Sequence, residues 1–304
     1  MTKIIVAIPA FNEEKTITAV VKELKSLQVK FSEKGLKLDV YVINDGSKDN
    51  TRKLAESAGA NRVINHPANM GLGAAVRTGL RLAHEDGADI AVKFDADLQH
   101  DPNDIFELIK PIINDEAEIV YGNRFERISY RMPFVRKLGN IIFTKLMSCL
   151  TKWPLKDSQP GIFAVSKRYL DVFYLPGDYN YTQQILIDAY HKGMRFTQVP
   201  VSFNKRFSGR SFVSLSYPFK VLPQIFQVLV GVKPMKVFGT IGALFILVGV
   251  ITVLFNLYDW FIGNANRPIQ NVNLVLGAGL FGVQTLFFGI LADLIVKISS
   301  RIYK

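Results

Sequence analysis

Cysteine is nearly missing from this sequence. Cys149 is alone among 304 residues, so no intramolecular disulfide is available and nothing depends on an oxidising compartment. Its expected role is that of a small buried apolar side chain. Zinc-binding patterns are missing as well: His66, His84, His100 and His191 show no H-x-x-x-H spacing and lack cysteine partners, which argues against a zinc site. There is no G-K-[ST] of a Walker loop and no G-x-S-x-G elbow of a serine hydrolase. The glycines of NMGLGAAVRTG (residues 69–79) fit neither Walker nor G-x-G-x-x-G spacing, so a glycine-bearing loop before a helix is favoured over direct phosphate contact. The apolar run at residues 4–11 is short, contains Pro9 and meets Glu13 and Glu14, so it reads as a first strand rather than a secretory signal.

Charge is the second scarcity, and it is local. The chain carries 37 Lys and Arg against 26 Asp and Glu, a net charge of +11, yet its mean hydropathy is +0.17. The last 69 residues contain only Lys236, Asp259, Arg267, Asp293, Lys297, Arg301 and Lys304 as charged groups. Uncharged runs of 22 residues (237–258) and 25 residues (268–292) each exceed the roughly 30 Å of a bilayer core at about 1.5 Å per residue. Neither run has a polar face, so two membrane spans, about 237–258 and 272–296, are favoured over buried soluble helices. Lys220, Lys233 and Lys236 precede the first span and Lys297, Arg301 and Lys304 follow the second. The positive-inside rule therefore places the soluble part and the C-terminus in the cytoplasm. Gly277 and Gly279, with Gly282, would let another helix approach, a hint of a homo-oligomer.

Two further segments have an apolar and basic character. Residues 212–235 are apolar but broken by prolines, as expected of a segment lying at the membrane interface. Residues 136–153 alternate Ile141, Ile142, Phe143, Leu146, Met147 and Leu150 with Arg136, Lys137, Lys145 and Lys152. That pattern fits either a helix resting on anionic lipid or one packed on its own domain.

The first part of the chain alternates strand-like and helix-like runs, an α/β pattern with a mostly parallel sheet. Strands are expected at residues 4–9, 38–43, 62–64, 90–94, 118–121, 161–165 and 195–203, with helices at 14–27, 51–57, 72–85, 102–113 and 181–192. Polar clusters follow the first, second and fourth strands: Phe11-Asn12-Glu13-Glu14, Asn44-Asp45-Gly46-Ser47 and Asp95-Ala96-Asp97-Leu98-Gln99-His100. All three should meet at the carboxyl edge of the sheet, where open α/β sheets bind ligands. Two carboxylates at i and i+2 after a buried strand repel unless a cation lies between them, and oxygen-only ligands select Mg²⁺ or Mn²⁺. The D-x-D alone also suits a pair of helix-capping residues.

Taken together and in order, IPAFNEE, VINDGSKDNT, FDADLQHDP, YGNRF and the R-x-x-G-x-S of residues 206–211 resemble family 2 glycosyltransferases of the GT-A fold. The chain is most similar to the dolichyl-phosphate or polyprenyl-phosphate mannose (hexose) synthase group, over residues 4–211 and with a matching membrane tail. The resemblance implies a cytoplasmic GT-A domain (1–211), an interfacial segment (212–235) and a transmembrane hairpin (236–304). It also implies that a GDP- or UDP-sugar is held by Pro9, Phe11, Glu13, Ile43, Asp45, Asp95, Ala96, Asp97 and Arg206. The metal, Mg²⁺ or Mn²⁺, would fall to Asp95, Asp97 and Gln99, and the acceptor phosphate to Arg124 and Arg136. Asp157 matches an acidic position on the acceptor side; with Asp97, Arg124 and Arg136 it completes the expected catalytic set. Read from the residues alone, Arg124 and Arg136 also suit plain surface arginines. Phe212 stands where such synthases often carry lysine after the G-x-S.

A lipid monophosphate is already an anion, so transfer to it needs no general base, and inversion is the expected outcome. Other readings are a saccharide-polymer synthase or a non-catalytic membrane-tethered subunit. The first lacks its Q-x-x-R-W, and the intact D-x-D-x-Q argues against the second. A nucleic-acid partner is not expected, since no recognition motif accompanies the positive charge.

Overall fold

The computed structural model describes residues 1–128, 134–175, 181–204, 226, 230–231 and 233–302. The chain divides into two compact units, Met1–Ser214 and Leu215–Lys304.

In the first unit, runs of aliphatic residues form β1 (Thr2–Ala10), β2 (Leu36–Asn44), β3 (Arg62–Asn65) and β4 (Ile90–Lys93), all parallel to their neighbours within this group. Their crossovers are α1 (Ile17–Glu33), α2 (Thr51–Ser57) and α3 (Leu72–Glu85). Then follow α4 (Asp104–Ile113), β5 (Ile119–Ile128), α5 (Phe134–Thr151), β6 (Phe163–Ser166), α6 (Lys167–Leu170), α7 (Tyr181–His191) and β7 (Phe196–Phe203). The seven strands make one sheet in the order β3-β2-β1-β4-β6-β5-β7. β6 runs antiparallel to both of its neighbours, while β5 and β7 are parallel. The expected α/β fold with a mostly parallel sheet is therefore present.

Covering helices on both faces explain why β1 reads as an apolar run from Ile4 to Ala10 and β2 from Val40 to Ile43. Ile4, Val6 and Ile8 share a core with Val20 and Leu24 of α1 and Ile105 and Leu108 of α4. On the other face α3 approaches closely at Gly79, where an added Cβ would lie 2.7 Å from the Ala7 side chain. The register pairs Ala10 with Asn44 and Ala7 with Lys93, so the carboxyl ends of β1, β2 and β4 reach one edge.

Several boundaries differ from expectation for identifiable reasons. α1 starts at Ile17, not at residue 14; ahead of it the Glu13 and Glu14 N–H groups donate to Thr51 Oγ1 (2.9 Å) and Asp49 Oδ2 (3.2 Å), which ties this stretch to the start of α2. β5 continues to Ile128 because β7 pairs with it as far as Phe203, which puts Arg124 inside a strand. Cys149 is exposed rather than buried: the inward stripe of α5 is Phe143, Met147 and Leu150, and Cys149 falls outside that spacing. α5 thus packs on its own domain while Ile141 and Ile142 stay exposed.

The second unit contains α8 (Pro234–Phe261) and α9 (Val272–Ile302). Both are long and apolar enough to cross a bilayer. Leu254, Phe255, Leu280 and Phe287 are each more than 60% exposed, a surface suited to lipid rather than water. The two helices meet through small residues: a Cβ on Gly242 would lie 2.7 Å from the Gly282 carbonyl oxygen, and Gly249 faces Ala278. Gly282 is thus used within the hairpin, whereas no atom lies within 4 Å of a Cβ built on Gly277 or Gly279. The hydroxyls of Thr240, Thr252 and Thr285 donate to carbonyls one turn earlier, at 2.6, 2.8 and 2.6 Å, so they need no water. The interfacial segment expected at residues 212–235 falls largely outside the described residues.

Replacing Gly79 tests the packing of α3 on the sheet. Gly79→Val is expected to destabilise the first unit by about 2–3 kcal/mol through overpacking, measured as a lowered thermal midpoint in detergent; an unchanged midpoint would contradict the close approach.

Candidate active site

The turns after β1 and β2 are tied together by hydrogen bonds. Asn12, at φ 55°, accepts from the Lys48 N–H through its side chain (2.9 Å) and donates its own N–H to Ser47 Oγ (2.9 Å). The Asp45 N–H donates to the Ala10 carbonyl (2.9 Å). Asp45 itself is buried, and both carboxylate oxygens are engaged. Oδ1 meets His66 Nδ1 (2.7 Å) and the Met70 N–H (2.9 Å), and Oδ2 accepts from the Gly71 N–H (2.9 Å). His66 is braced in turn by Thr78 Oγ1 at 3.0 Å. Asp45 therefore fastens the loop before α3, and what it offers a ligand is the turn it shapes. Of the five residues expected beside the nucleoside, Pro9, Ile43 and Asp45 are buried, Glu13 is half-buried and Phe11 is exposed.

The D-x-D turn follows β4 directly. Ala96 is buried between two half-buried aspartates, and Leu98 adopts φ 59°. Lys93 lies at the end of β4 with its side chain shut away from solvent. Its Nζ donates to Asp95 Oδ1 (2.5 Å) and to the Gly161 carbonyl (2.6 Å), and it lies 5.7 Å from the Tyr181 ring centroid. Burial alone would lower the Lys93 pKa, but the charge and hydrogen bond of Asp95, together with Tyr181, outweigh it and hold the ammonium above its ordinary value. Asp95 Oδ2 faces His100 Nε2 at 3.8 Å. Burial pushes the His100 imidazole down to about 4, so it is neutral at pH 7. Gly161 must lack a side chain here, since a Cβ would fall 2.0 Å from His100 Nε2.

Gln99 joins this turn to the end of β7. Its backbone carbonyl accepts from the Asn204 N–H (2.7 Å) and its Nε2 donates to the Asn204 carbonyl (2.9 Å), so the amide oxygen is the end that can serve a cation. Its own N–H donates to Asp97 Oδ1 (3.2 Å). Among the described residues no three His, Cys, Asp or Glu side chains form a ready-made metal cage. Asp95, Asp97 and Gln99 all carry oxygen donors on this one turn, the ligand chemistry that would suit Mg²⁺ or Mn²⁺.

Arg124, on β5, is not an open cation. Its Nε lies 2.9 Å from Asp157 Oδ2, with both side chains buried. Asp157 Oδ1 also accepts from Asn140 Nδ2 (3.2 Å) and the Gln159 N–H (2.9 Å). The guanidinium lies over the Phe125 and Phe203 rings at 5.6 and 5.5 Å. Phe203 in turn contacts His100, with ring centroids 5.0 Å apart, so Arg124 and Asp95 belong to one packed layer. The Arg136 side chain and all of Arg206 lie outside the described residues.

Lys93 and His66 belong to none of the sequence motifs. Lys93 left one legible signal, a single charge in an otherwise apolar central strand two residues before Asp95, which places both on one strand face. His100 belongs to the polar cluster after the fourth strand while His66 carries no local motif, and the carboxylate partners of both emerge only in the fold.

Comparison with known proteins agrees with this fold. The family model described as Glycosyl transferase family 2 matches residues 5–173. The UDP-N-acetylglucosamine–dolichyl-phosphate N-acetylglucosaminyltransferase of Methanococcus voltae is 38% identical over 183 residues, 54% of this chain and 70% of the relative. The dolichol-phosphate mannosyltransferase of Pyrococcus furiosus is 30% identical over 241 residues, covering 75% and 64%. Among solved structures, glucosyl-3-phosphoglycerate synthase from Mycobacterium tuberculosis, in complex with Mn²⁺, UDP and glucosyl-3-phosphoglycerate, has the same fold: TM-score 0.58 and 24% identity over 75% of this chain and 79% of that one.

Two measurements probe the buried charges. Asp157→Ala strands the Arg124 guanidinium and is expected to cost about 3–5 kcal/mol, while Arg124→Met/Asp157→Leu recovers much of that loss; equal destabilisation of both variants would count against the pair. His100, about 4 in the folded state against about 6.5 unfolded, binds its proton more readily unfolded. Stability should therefore fall as pH drops from about 6.5 towards 4, and His100→Phe should flatten that part of a denaturation–pH profile.

Proposed function

The chain belongs to glycosyl transferase family 2, and from that membership we propose that it moves a monosaccharide from a GDP- or UDP-sugar onto dolichyl or polyprenyl phosphate, with inversion, at the cytoplasmic face of a membrane. Residues 1–211 act as the catalytic domain, 212–235 lie at the interface and 236–304 form the membrane hairpin. The observation that carries this reading is the placing of Asp95 and Asp97 at the carboxyl end of β4, on the edge shared with the turns after β1 and β2. Relatives named for dolichyl-phosphate sugar transfer support the acceptor class.

Under this reading Pro9, Phe11, Glu13, Ile43 and Asp45 shape the nucleoside cradle, with exposed Phe11 as its flat wall. Ala96 approaches the donor through its backbone. Asp95, Asp97 and Gln99 would hold Mg²⁺ or Mn²⁺, which when bound offsets charge building on the leaving nucleoside diphosphate. Arg206 adds a guanidinium to the same diphosphate. Arg124, already neutralised by Asp157, orients the acceptor phosphate more than it attracts it, so the attraction on that side falls to Arg136. The acceptor oxygen arrives as an anion, and the residues here need only align it in line with the anomeric carbon.

Purified protein given polyprenyl phosphate, Mg²⁺ or Mn²⁺ and a panel of nucleotide sugars is expected to yield an acid-labile lipid-linked sugar from one donor. Asp97→Ala should lower that yield by about a hundredfold or more while leaving the fold intact by circular dichroism. No lipid product from any donor would overturn the reading.

A further inference from the structure

Two acidic side chains at the end of a strand would ordinarily wait for a metal to relieve their repulsion. Here a cation is already present. Lys93 is 1% exposed, and its Nζ is fixed by Asp95 Oδ1 at 2.5 Å and by the Gly161 carbonyl at 2.6 Å. Enclosed in this way it cannot swing out to a phosphate. Asp95, by contrast, keeps 26% of its side chain open. The charge at the D-x-D is therefore close to −1 rather than −2, and one Asp95 oxygen is already committed.

We propose that Lys93 is a resident cation of the metal site, a positioning residue that holds Asp95 in place without metal and weakens the site's grip on free divalent ions, so that firm binding needs the donor's phosphate oxygens. This rests on the reading that Asp95 and Asp97 face the metal. The geometry sets the sign. The ammonium lies on the protein side of Asp95, where it repels an incoming Mg²⁺ or Mn²⁺ and competes for the same carboxylate, whereas phosphate oxygens bring negative charge from the open side. A lysine that merely filled the core would have no such effect: its loss would loosen the turn and weaken metal binding.

The test uses the full chain in detergent and follows free Mn²⁺ by electron paramagnetic resonance, with Mn²⁺ alone and with Mn²⁺ plus UDP or GDP. Wild-type protein should bind Mn²⁺ weakly alone and more tightly with one of the nucleotides. Lys93→Met should tighten Mn²⁺ alone by roughly tenfold and shrink the advantage given by the nucleotide. Should Lys93→Met fail to fold, the comparison moves to Asp95→Asn against Lys93→Met/Asp95→Asn, where removing the ammonium should again tighten Mn²⁺ alone. Unchanged or weaker Mn²⁺ binding in a folded variant lacking Lys93 overturns this inference by itself. Wild-type protein that binds no Mn²⁺ even with UDP and GDP overturns the metal site and the inference together.

Discussion

An ammonium or guanidinium removed from water must find its counter-charge within reach, and this constraint shapes one edge of the sheet twice. Lys93 meets Asp95 at the end of β4, and Arg124 meets Asp157 across β5 and the segment before β6. Neither pair is a source of large net stability, since desolvation consumes much of what the attraction returns. Their contribution is placement. Each pair leaves a functional side chain in one orientation before any ligand arrives, so ordering is completed during folding instead of at the moment of binding. The His100 and Phe203 rings lie between the two pairs, which makes the D-x-D turn and Arg124 parts of one packed layer.

The same sheet explains why some of this was readable in advance. β1, β2 and β4 are buried on both faces, so their sequences are largely apolar runs closed by polar turns, and the three clusters expected on one rim do share it. Local pattern could not reveal partners distant in sequence. Asp157 lies 33 positions from Arg124, and no periodicity links them. The resemblance puts Asp45 beside the nucleotide sugar, yet the loop it fastens begins 21 residues later at His66. α1 starts late, and partners at the start of α2 hold the peptide groups ahead of it, a tertiary effect that helix propensity does not contain. β5 outran expectation for a similar reason: its last residues are strand because β7 is there to pair with them.

The two units obey different solvents. In the first, apolar residues mostly point inward, with exposed exceptions such as Phe11, Val29 and the adjacent pair Ile141 and Ile142. In the second, many of the largest apolar side chains point outward while Gly242, Gly249 and Gly282 face the other helix, the arrangement expected where lipid offers no hydrophobic drive and close backbone contact holds helices together. The split in composition that made the whole sequence look both charged and hydrophobic is a boundary between these two regimes.

Cys149 gains significance from being on the outer side of α5 instead of in the core. As the sole thiol of the chain, it is a native address for a single spin label or fluorophore, attached without altering any residue of the sheet edge. It sits on the helix that also supplies Asn140 to the Asp157 carboxylate, so a reporter there shares a rigid element with the Arg124 pair. Movements of that element during turnover can be followed in the unsubstituted protein.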